Sequence, residues 1–470
     1  MIHRKNREEE RKGSACLTCE YTDGRATLCA ENVFAAGVTG TTILLLLCVL
    51  GLLRAAIHSA VRVFTGEADE IAAQSHSGFC EKGIGILMKT MCSIYADNAS
   101  TTQLDPDALE AMLPFMRDGF ANPSALHSGA KKARHAVEDA RRIISECINA
   151  KPHEIIFTSC GTESDNWAIK GVARSLDPKQ AKFITCAIEH HAVLNCFDAI
   201  ARTGFSTAIL PVDGDGVVSV NDLEDAIKDT DSGLLSVMLA NNEIGTIQDI
   251  PALADVARRH NLLVHTDAVQ AVGHLPIDVN QLNIDMLSAS AHKFNGPKGV
   301  GFLYKRDSVK LPPLIDGGHQ ESGLRAGTEN VAGIVGTAVA LCKHVEHLDR
   351  NMEQLRSLEK IMKTVIAEGI PEARFNGHPD RHLPGLLSLS LPGMNAEGLL
   401  HILDLKGIAV STGAACNSKE TILSHVLRAI QLPVPHASGT LRISFSKDNT
   451  ESDATTLASF LVRLYHKHIG

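Results

Sequence analysis

Asp285-Met-Leu-Ser-Ala-Ser-Ala-His-Lys293, followed by Phe-Asn-Gly-Pro-Lys-Gly299, is a short apolar run that ends on a lysine at a Gly/Pro turn. Such a run, bounded by a turn, predicts a buried strand. Lys293 then sits at the rim of a core, not along a solvated helix face. Ser290 and His292 flank it, and both can hydrogen-bond an anion. A partly desolvated lysine has a lowered pKa and serves as an amine nucleophile or Schiff-base former. A lone lysine at a strand end is ordinarily a surface residue. Here four further strand ends carry matching chemistry.

Glu154-Ile-Ile-Phe-Thr-Ser159 predicts a strand that runs into Cys160-Gly-Thr-Glu-Ser-Asp-Asn166 and a helix through Trp167, Ile169 and Val172. A Gly-Thr turn opening a helix offers backbone N–H groups and a hydroxyl to a phosphate. Phe183-Ile-Thr-Cys-Ala-Ile188 ends in Glu189-His190-His191. Leu234-Leu-Ser-Val-Met-Leu-Ala240 ends in Asn241-Asn242-Glu243, and Leu262-Leu-Val-His265 ends in Thr266-Asp267, with Gln270 three residues on. Helical patterns separate several of these strands, as from Ile250 to His260, where Leu253, Ala254, Val256 and Ala257 share one side. The alternation predicts a mainly parallel α/β sheet, with ligands bound beyond the carboxyl ends of its strands. Thr162, His190, Asn242, Asp267, Gln270, Ser290, His292 and Lys293 are therefore expected to converge on one crevice. Singly, each has a structural alternative as a cap, a satisfied core histidine or a turn residue.

The motifs resemble those of the NifS/IscS-type cysteine desulfurases, fold type I pyridoxal-phosphate enzymes of the class V aminotransferase family. The resemblance spans roughly residues 93 to 470. It runs through Ile94-Tyr-Ala-Asp-Asn-Ala-Ser-Thr-Thr102, Ala121-Asn-Pro-Ser-Ala-Leu-His127, Phe157-Thr-Ser-Cys-Gly-Thr-Glu-Ser164 and Asn241-Asn-Glu-Ile-Gly245. It continues through His265-Thr-Asp-Ala-Val-Gln270, Ser290-Ala-His-Lys293, Arg325-Ala-Gly-Thr-Glu-Asn330 and Ser411-Thr-Gly-Ala-Ala-Cys416. It implies a large domain over 106–340 with a mainly parallel seven-stranded sheet, and a smaller α+β domain from 93–105 plus 341–470.

The same resemblance implies roles. Lys293 would carry pyridoxal 5'-phosphate as a Schiff base. Asp267 would face the pyridine nitrogen and keep it protonated. His190 would stack on the ring and act as an acid/base, and Gln270 would bond the ring hydroxyl. Gly161, Thr162, Ser290 and His292 would hold the phosphate. Thr328 would complete that site in a neighbouring subunit, implying a homodimer. Asn242 would touch cofactor and substrate, and Arg442 would bind the substrate carboxylate with its fork. Cys416, in a mobile loop, would accept sulfur from L-cysteine as a persulfide. It would pass that sulfur to an iron–sulfur scaffold or other acceptor protein, for cluster assembly or for tRNA or cofactor thiolation. No resident metal is implied, only transient ligation of a cluster by Cys416. The chain departs from the pattern at Cys160, Ala291 and Val269, the last placed to press on the ring. A selenocysteine lyase shares the fold and most motifs. A partner-binding homologue without turnover is the alternative of another class, and the set Lys293, Asp267, His190 and Cys416 argues against it.

The 470 residues suffice for a large domain and a smaller one. With net charge −9, one Trp and four Tyr, nothing suggests nucleic-acid binding. Twelve scattered cysteines fit a reducing, cytoplasmic setting. Cys16, Cys19 and Cys29 lack an evident fourth ligand, so no zinc site is expected. Gly296-Pro-Lys-Gly-Val-Gly301 reads as a turn because a strand follows it. Residues 1–92 lie outside the resemblance and carry ten Lys/Arg and ten Asp/Glu. Their charge-free stretch 33–53 has the length of a membrane anchor, and the alternative is a start assigned upstream of Met88 or Met91. A chain beginning at Met91 should fold, bind pyridoxal phosphate and release alanine from cysteine. Loss of cofactor binding on truncation would tie the extension to the enzyme fold.

Overall fold

The computed structural model describes residues 20–22, 25–27, 93–412 and 423–469. The chain forms two units, Met1–Met88 and Lys89–Gly470. In the first, β1 (Glu20–Thr22) pairs antiparallel with β2 (Arg25–Thr27). The stretch 33–53, the cysteines Cys16, Cys19 and Cys29, and Cys416 all lie outside the described residues. Among the described residues, no helix is long and apolar enough to cross a membrane.

The second unit opens with β3 (Ile94–Tyr95), α1 (Pro106–Arg117) and α2 (Ser128–Cys147). Strands and helices then alternate: β4 (Ile155–Thr158), α3 (Gly161–Ser175), β5 (Lys182–Cys186), α4 (His191–Ala201), β6 (Ser206–Leu210), α5 (Val220–Ile227), β7 (Gly233–Ser236), α6 (Ile250–Arg259) and β8 (Leu262–Asp267). β9 (Met286–Ser290) and β10 (Gly301–Lys305) follow. The remainder comprises α7 (Val331–Glu346), α8 (Leu348–Gly369), β11 (Arg374–Asn376), β12 (Leu386–Ser390), α9 (Ala396–Asp404), β13 (Ile408–Ala409), α10 (His425–Ala429), α11 (Val434–Ala437), β14 (Thr440–Ser444) and α12 (Glu451–Ile469).

A seven-stranded sheet has the order β4-β10-β9-β8-β7-β5-β6. Its strands run parallel except β10, which is antiparallel to both β4 and β9. The ten residues between β9 and β10 are too few for a parallel crossover, so the chain reverses there. Successive residues of each inner strand enter different cores. Ile184, Leu235, Leu287 and Phe302 pack with α2 and α6, whereas Phe183, Leu234, Met286 and Leu303 pack around Trp167 of α3. Both faces are covered, which is why these strands read as continuous apolar runs. A further core joins Met362, Leu389, Leu403, Ile443 and Leu457 around the antiparallel sheet β11-β12-β14. Ile94 and Ala96 enter this core, while Ala99 enters the first.

The predicted strands form, β4, β5 and β8 within two residues of their expected bounds, whereas β7 ends at Ser236 and not Ala240, and β9 at Ser290. Lys293 differs in detail: it lies one turn of 3-10 helix (Ala291–Lys293) beyond β9. Phe302 is fully buried in β10. Phe302→Ala should lower the stability by about 3–5 kcal/mol in urea unfolding; a loss under about 1 kcal/mol would show that β10 does not carry the core.

Candidate active site

A cavity of about 470 Å3 lies beyond the carboxyl ends of β7, β8 and β9 and the N-termini of α3 and α4. Gly161, Thr162, His190, Asn242, Asp267, Gln270, Ser290, His292, Lys293 and Arg442 all line it. Thr328 is exposed and does not line the cavity of its own chain. Cys416 lies outside the described residues.

The segment 93–105 fixes the spacing of the main polar groups. Lys293 Nζ donates to the carbonyls of Ala99 (2.6 Å) and Ser100 (2.9 Å). Gln270 Nε2 donates to the same Ala99 carbonyl at 2.9 Å. Arg442, from β14, donates to Asp97 Oδ1 (3.0 Å), Ser100 Oγ (2.5 Å) and the Asn242 carbonyl (3.1 Å). Asn241 is the buried member of its pair and holds the turn, its Oδ1 accepting from Glu243 and Ile244 N–H at 2.8 and 2.9 Å. His190 caps α4, its Nδ1 accepting from Ala192 N–H at 3.1 Å, so the neutral ring carries its proton on Nε2.

Burial sets the charges. It lowers the His190 pKa, helped by Lys293 and His191, and lowers His292 to about 4, helped by Lys293 and Lys298. His265 falls to about 3, so its neutral ring bridges Ser236 Oγ and Ser288 Oγ, each at 2.9 Å. Burial raises both Asp267 and Asp165, with the Val269 N–H and the Lys293 charge opposing the rise at Asp267. Glu189 is pushed up to about 8 by burial and by the Asp267 charge. Glu243 is pushed to about 7 by burial, against the Ser424 hydroxyl and Arg442.

Among the described residues, two buried donors on the cavity wall have no protein partner: Ser290 Oγ and Arg442 Nε. An unpaired buried donor is costly, and both suit an acidic oxygen of a bound molecule. A Cβ on Gly161 would come within 2.4 Å of Val269 Cγ2. Backbone alone therefore fits at the start of α3, where free N–H groups face the cavity. Val269 thus wedges Gly161. Among the described residues, no group of side chains suits a metal ion.

Residues 94–457 match the family model described as aminotransferase class-V. The chain belongs to this family, among the cysteine desulfurases. It is 46% identical over 373 residues to a cysteine desulfurase IscS of Clostridium botulinum, covering 79% of this chain and 94% of that one. It is 40% identical to the cysteine desulfurase NifS of Azotobacter vinelandii, covering 77% and 90%. A solved NifS-like protein superposes with a TM-score of 0.75 at 38% identity, covering 79% of this chain and 99% of that one. The enzyme also resembles a solved SspA in complex with cysteine, at a TM-score of 0.67 and 38% identity over 76% of this chain and all of that one.

Sequence reasoning gave no role to Asp165, Glu189 or Glu243, which surround Asp267 and Arg442 in the desulfurase fold. Each lies in a motif quoted above, yet an acid beside a strand end carries no mark of burial. His425 is brought to the cavity as well, its Nε2 donating to the Glu189 carbonyl at 2.9 Å and its ring 4.7 Å from that of His191. Glu189 Oε1 accepts from Met238 N–H (2.6 Å) and Cys186 Sγ (3.1 Å), whereas its Oε2 has no partner among the described residues. Folding raises this carboxyl from 4.5 to about 8. Between those values the native state holds a proton that the unfolded state has released. Stability attributable to Glu189 is thus full below the unfolded pKa and falls as pH rises towards the folded one. Glu189→Gln should therefore match the parent's thermal midpoint near pH 5 and exceed it at pH 8; a constant gap across that range would refute the assignment.

Proposed function

We propose that the enzyme takes sulfur from L-cysteine, releasing L-alanine and keeping the sulfur as a persulfide on Cys416. The sum balances: cysteine plus a thiol gives alanine plus a hydropersulfide, the substrate Cβ exchanging its sulfur for hydrogen. The single observation that carries this reading is the convergence of Lys293, Asp267 and an unpaired Arg442 Nε on one cavity.

We take the cofactor to be pyridoxal 5'-phosphate, which the wall fits: an amine, a buried carboxylate, and a backbone cradle beside an unpaired Ser290 hydroxyl. Bound through Lys293, it would supply an electron sink for the charge left when the substrate Cα loses its proton. Gly161, Thr162, Ser290 and His292 would hold the phosphate, and Gln270 the ring hydroxyl. Asp267 would face the ring nitrogen, where a cationic partner draws its raised pKa back down. His190 would lie over the ring and offer its Nε2 proton. Arg442 would orient the substrate carboxylate, with Asn242 beside it. Lys293, released from the cofactor, would carry the proton to and from Cα.

In this reading 106–340 forms the cofactor-binding domain, and 93–105 with 341–470 the smaller one. Thr328 completes the phosphate site of a second copy in a homodimer. An iron–sulfur scaffold or another sulfur-acceptor protein receives the persulfide. We place the enzyme in the cytoplasm, with a membrane reached only through 33–53 and no direct contact with nucleic acid.

Lys293→Ala should abolish the borohydride-reducible lysine adduct and lower alanine release by at least about 10³-fold. Cys416→Ser should stay yellow and bind L-cysteine, yet load no protein persulfide. Cys160 lines the same cavity, so Cys160→Ala is the control and should load persulfide normally. A Cys416→Ser protein that loads persulfide at the parent rate would overturn the assignment.

A further inference from the structure

The segment 315–330 is held against its own chain by two forked ion pairs. Glu321 and Ser322 both adopt left-handed backbone, at φ 47° and 58°. L side chains rarely adopt it, and two in succession need a firm anchor. The anchor is the buried Glu321 carboxylate. Arg141 grips both its oxygens at 2.8 Å, and Phe157 N–H donates to Oε2 at 2.9 Å. Arg141 also donates to the Ile155 carbonyl at 2.7 Å, so the whole clasp is tied to β4.

Four residues on, Arg325 Nε and Nη2 donate to the two oxygens of Glu163 at 2.8 and 3.1 Å. Glu163 also accepts from Ser159 N–H at 2.9 Å and from the Ser159 hydroxyl. Burial pushes the Glu163 carboxyl up, but the bonds from Arg325 and Ser159 outweigh it and hold the carboxyl below its usual range. Glu163 directly follows Gly161 and Thr162 in the first turn of α3. Thr328, three residues beyond Arg325, is exposed.

We propose that the Glu163–Arg325 clasp couples the two cofactor sites of the homodimer, so that loading one favours loading of the other. The inference rests on the reading that Gly161 and Thr162 cradle a phosphate and that Thr328 serves a second copy. A phosphate at the start of α3 adds negative charge within one helical turn of the Glu163 carboxylate. That charge strengthens the hold on Arg325. A tighter clasp fixes the segment bearing Thr328, and so prepares the site across the interface. By linkage, the partner's phosphate tightens the first site equally. Arg141–Glu321 is the fixed end of the lever and Arg325–Glu163 the end that responds. Both arginines are positioning residues, since neither lines the cavity.

The test uses the full-length dimer, stripped of cofactor and reloaded with pyridoxal 5'-phosphate. Bound cofactor is read by absorbance after desalting, and dimer mass by sedimentation. The parent should load sigmoidally, with the second site about tenfold tighter and a Hill coefficient of about 1.5. Arg325→Gln and Glu163→Gln should stay dimeric, load with a Hill coefficient of about 1 and retain cofactor more weakly. Pyridoxal, which lacks the phosphate, should load the parent without cooperativity. A parent dimer that loads hyperbolically, or an Arg325→Gln dimer that keeps the sigmoid, overturns the coupling. A parent that sediments as a monomer when loaded overturns the shared-site reading instead, and the coupling with it. If Arg325→Gln does not fold, Arg325→Lys decides, because it keeps the charge but loses the fork. An unchanged Hill coefficient in that variant overturns the proposal.

Discussion

Lys293 and Arg442 are both tied to one short stretch of chain, and the enzyme's geometry depends on that tie. Ser100 gives its carbonyl to Lys293 Nζ and its hydroxyl to Arg442. Asp97 adds a carboxylate to the same guanidinium at 3.0 Å. Two cations drawn onto neighbouring residues of one segment cannot drift apart without breaking charge-assisted hydrogen bonds in a desolvated place. The segment itself is fixed at both ends. Ile94 and Ala96 are buried in the core of the three-stranded sheet, and Ala99 in that of the seven-stranded sheet. It therefore spans the two cores and sets the distance between an amine that would act at a substrate Cα and a guanidinium that would hold its carboxylate.

The acids are arranged around that pair. Asp267, Asp165 and Glu189 are all fully or nearly fully buried, and so many carboxylates cannot all ionise in one low-dielectric region. The fold separates them by environment. Asp267 has a backbone N–H and the Lys293 charge to favour ionisation, whereas Glu189 has neither cation nor free solvent. The result is a charged acid facing the cavity with a protonated one behind it. This is the division of labour expected where a carboxylate must stay ionised against a cationic ring. The neutral His265, held by two serines, adds a polar wall without adding charge.

Much of the fold was legible because buried parallel strands leave continuous apolar runs. Leu234-Leu235 and Leu262-Leu-Val264 announce themselves, and so do the polar residues that end them. The edge strand β6 was not predicted. Ser206 and Ile209 are exposed, so it lacks the solid apolar signature. The reversal at β10 was present in the sequence as a ten-residue link, but a short apolar strand reads the same in either direction. At the site, residues at strand ends stood out individually. Arg442 did not, because it comes from β14 of the other sheet, some 150 residues beyond Lys293, and only the family resemblance singled it out. Asp165 and Glu189 escaped notice since burial is a property of packing that a lone acid beside a helix does not announce.

The division between strand-end residues and the far arginine has a physical consequence for how the site is assembled. Lys293, Asp267 and His190 stand at strand ends of the seven-stranded sheet, with Lys293 Nζ held further by the Ala99 and Ser100 carbonyls. Arg442 comes from the three-stranded sheet and docks through Asp97, Ser100 and the Asn242 carbonyl. Arg442 joins the two sheets alongside backbone bonds such as Ile247 N–H to the Arg381 carbonyl and Leu383 N–H to the Gly245 carbonyl, and among the described residues its buried Nε has no protein partner. A fully satisfied arginine would be better structural glue. A donor placed so suits an acidic group entering the cavity. In the proposed role of Arg442, a bound substrate carboxylate would satisfy that donor beside the seam between the two cores, and a ligand without a carboxylate would not.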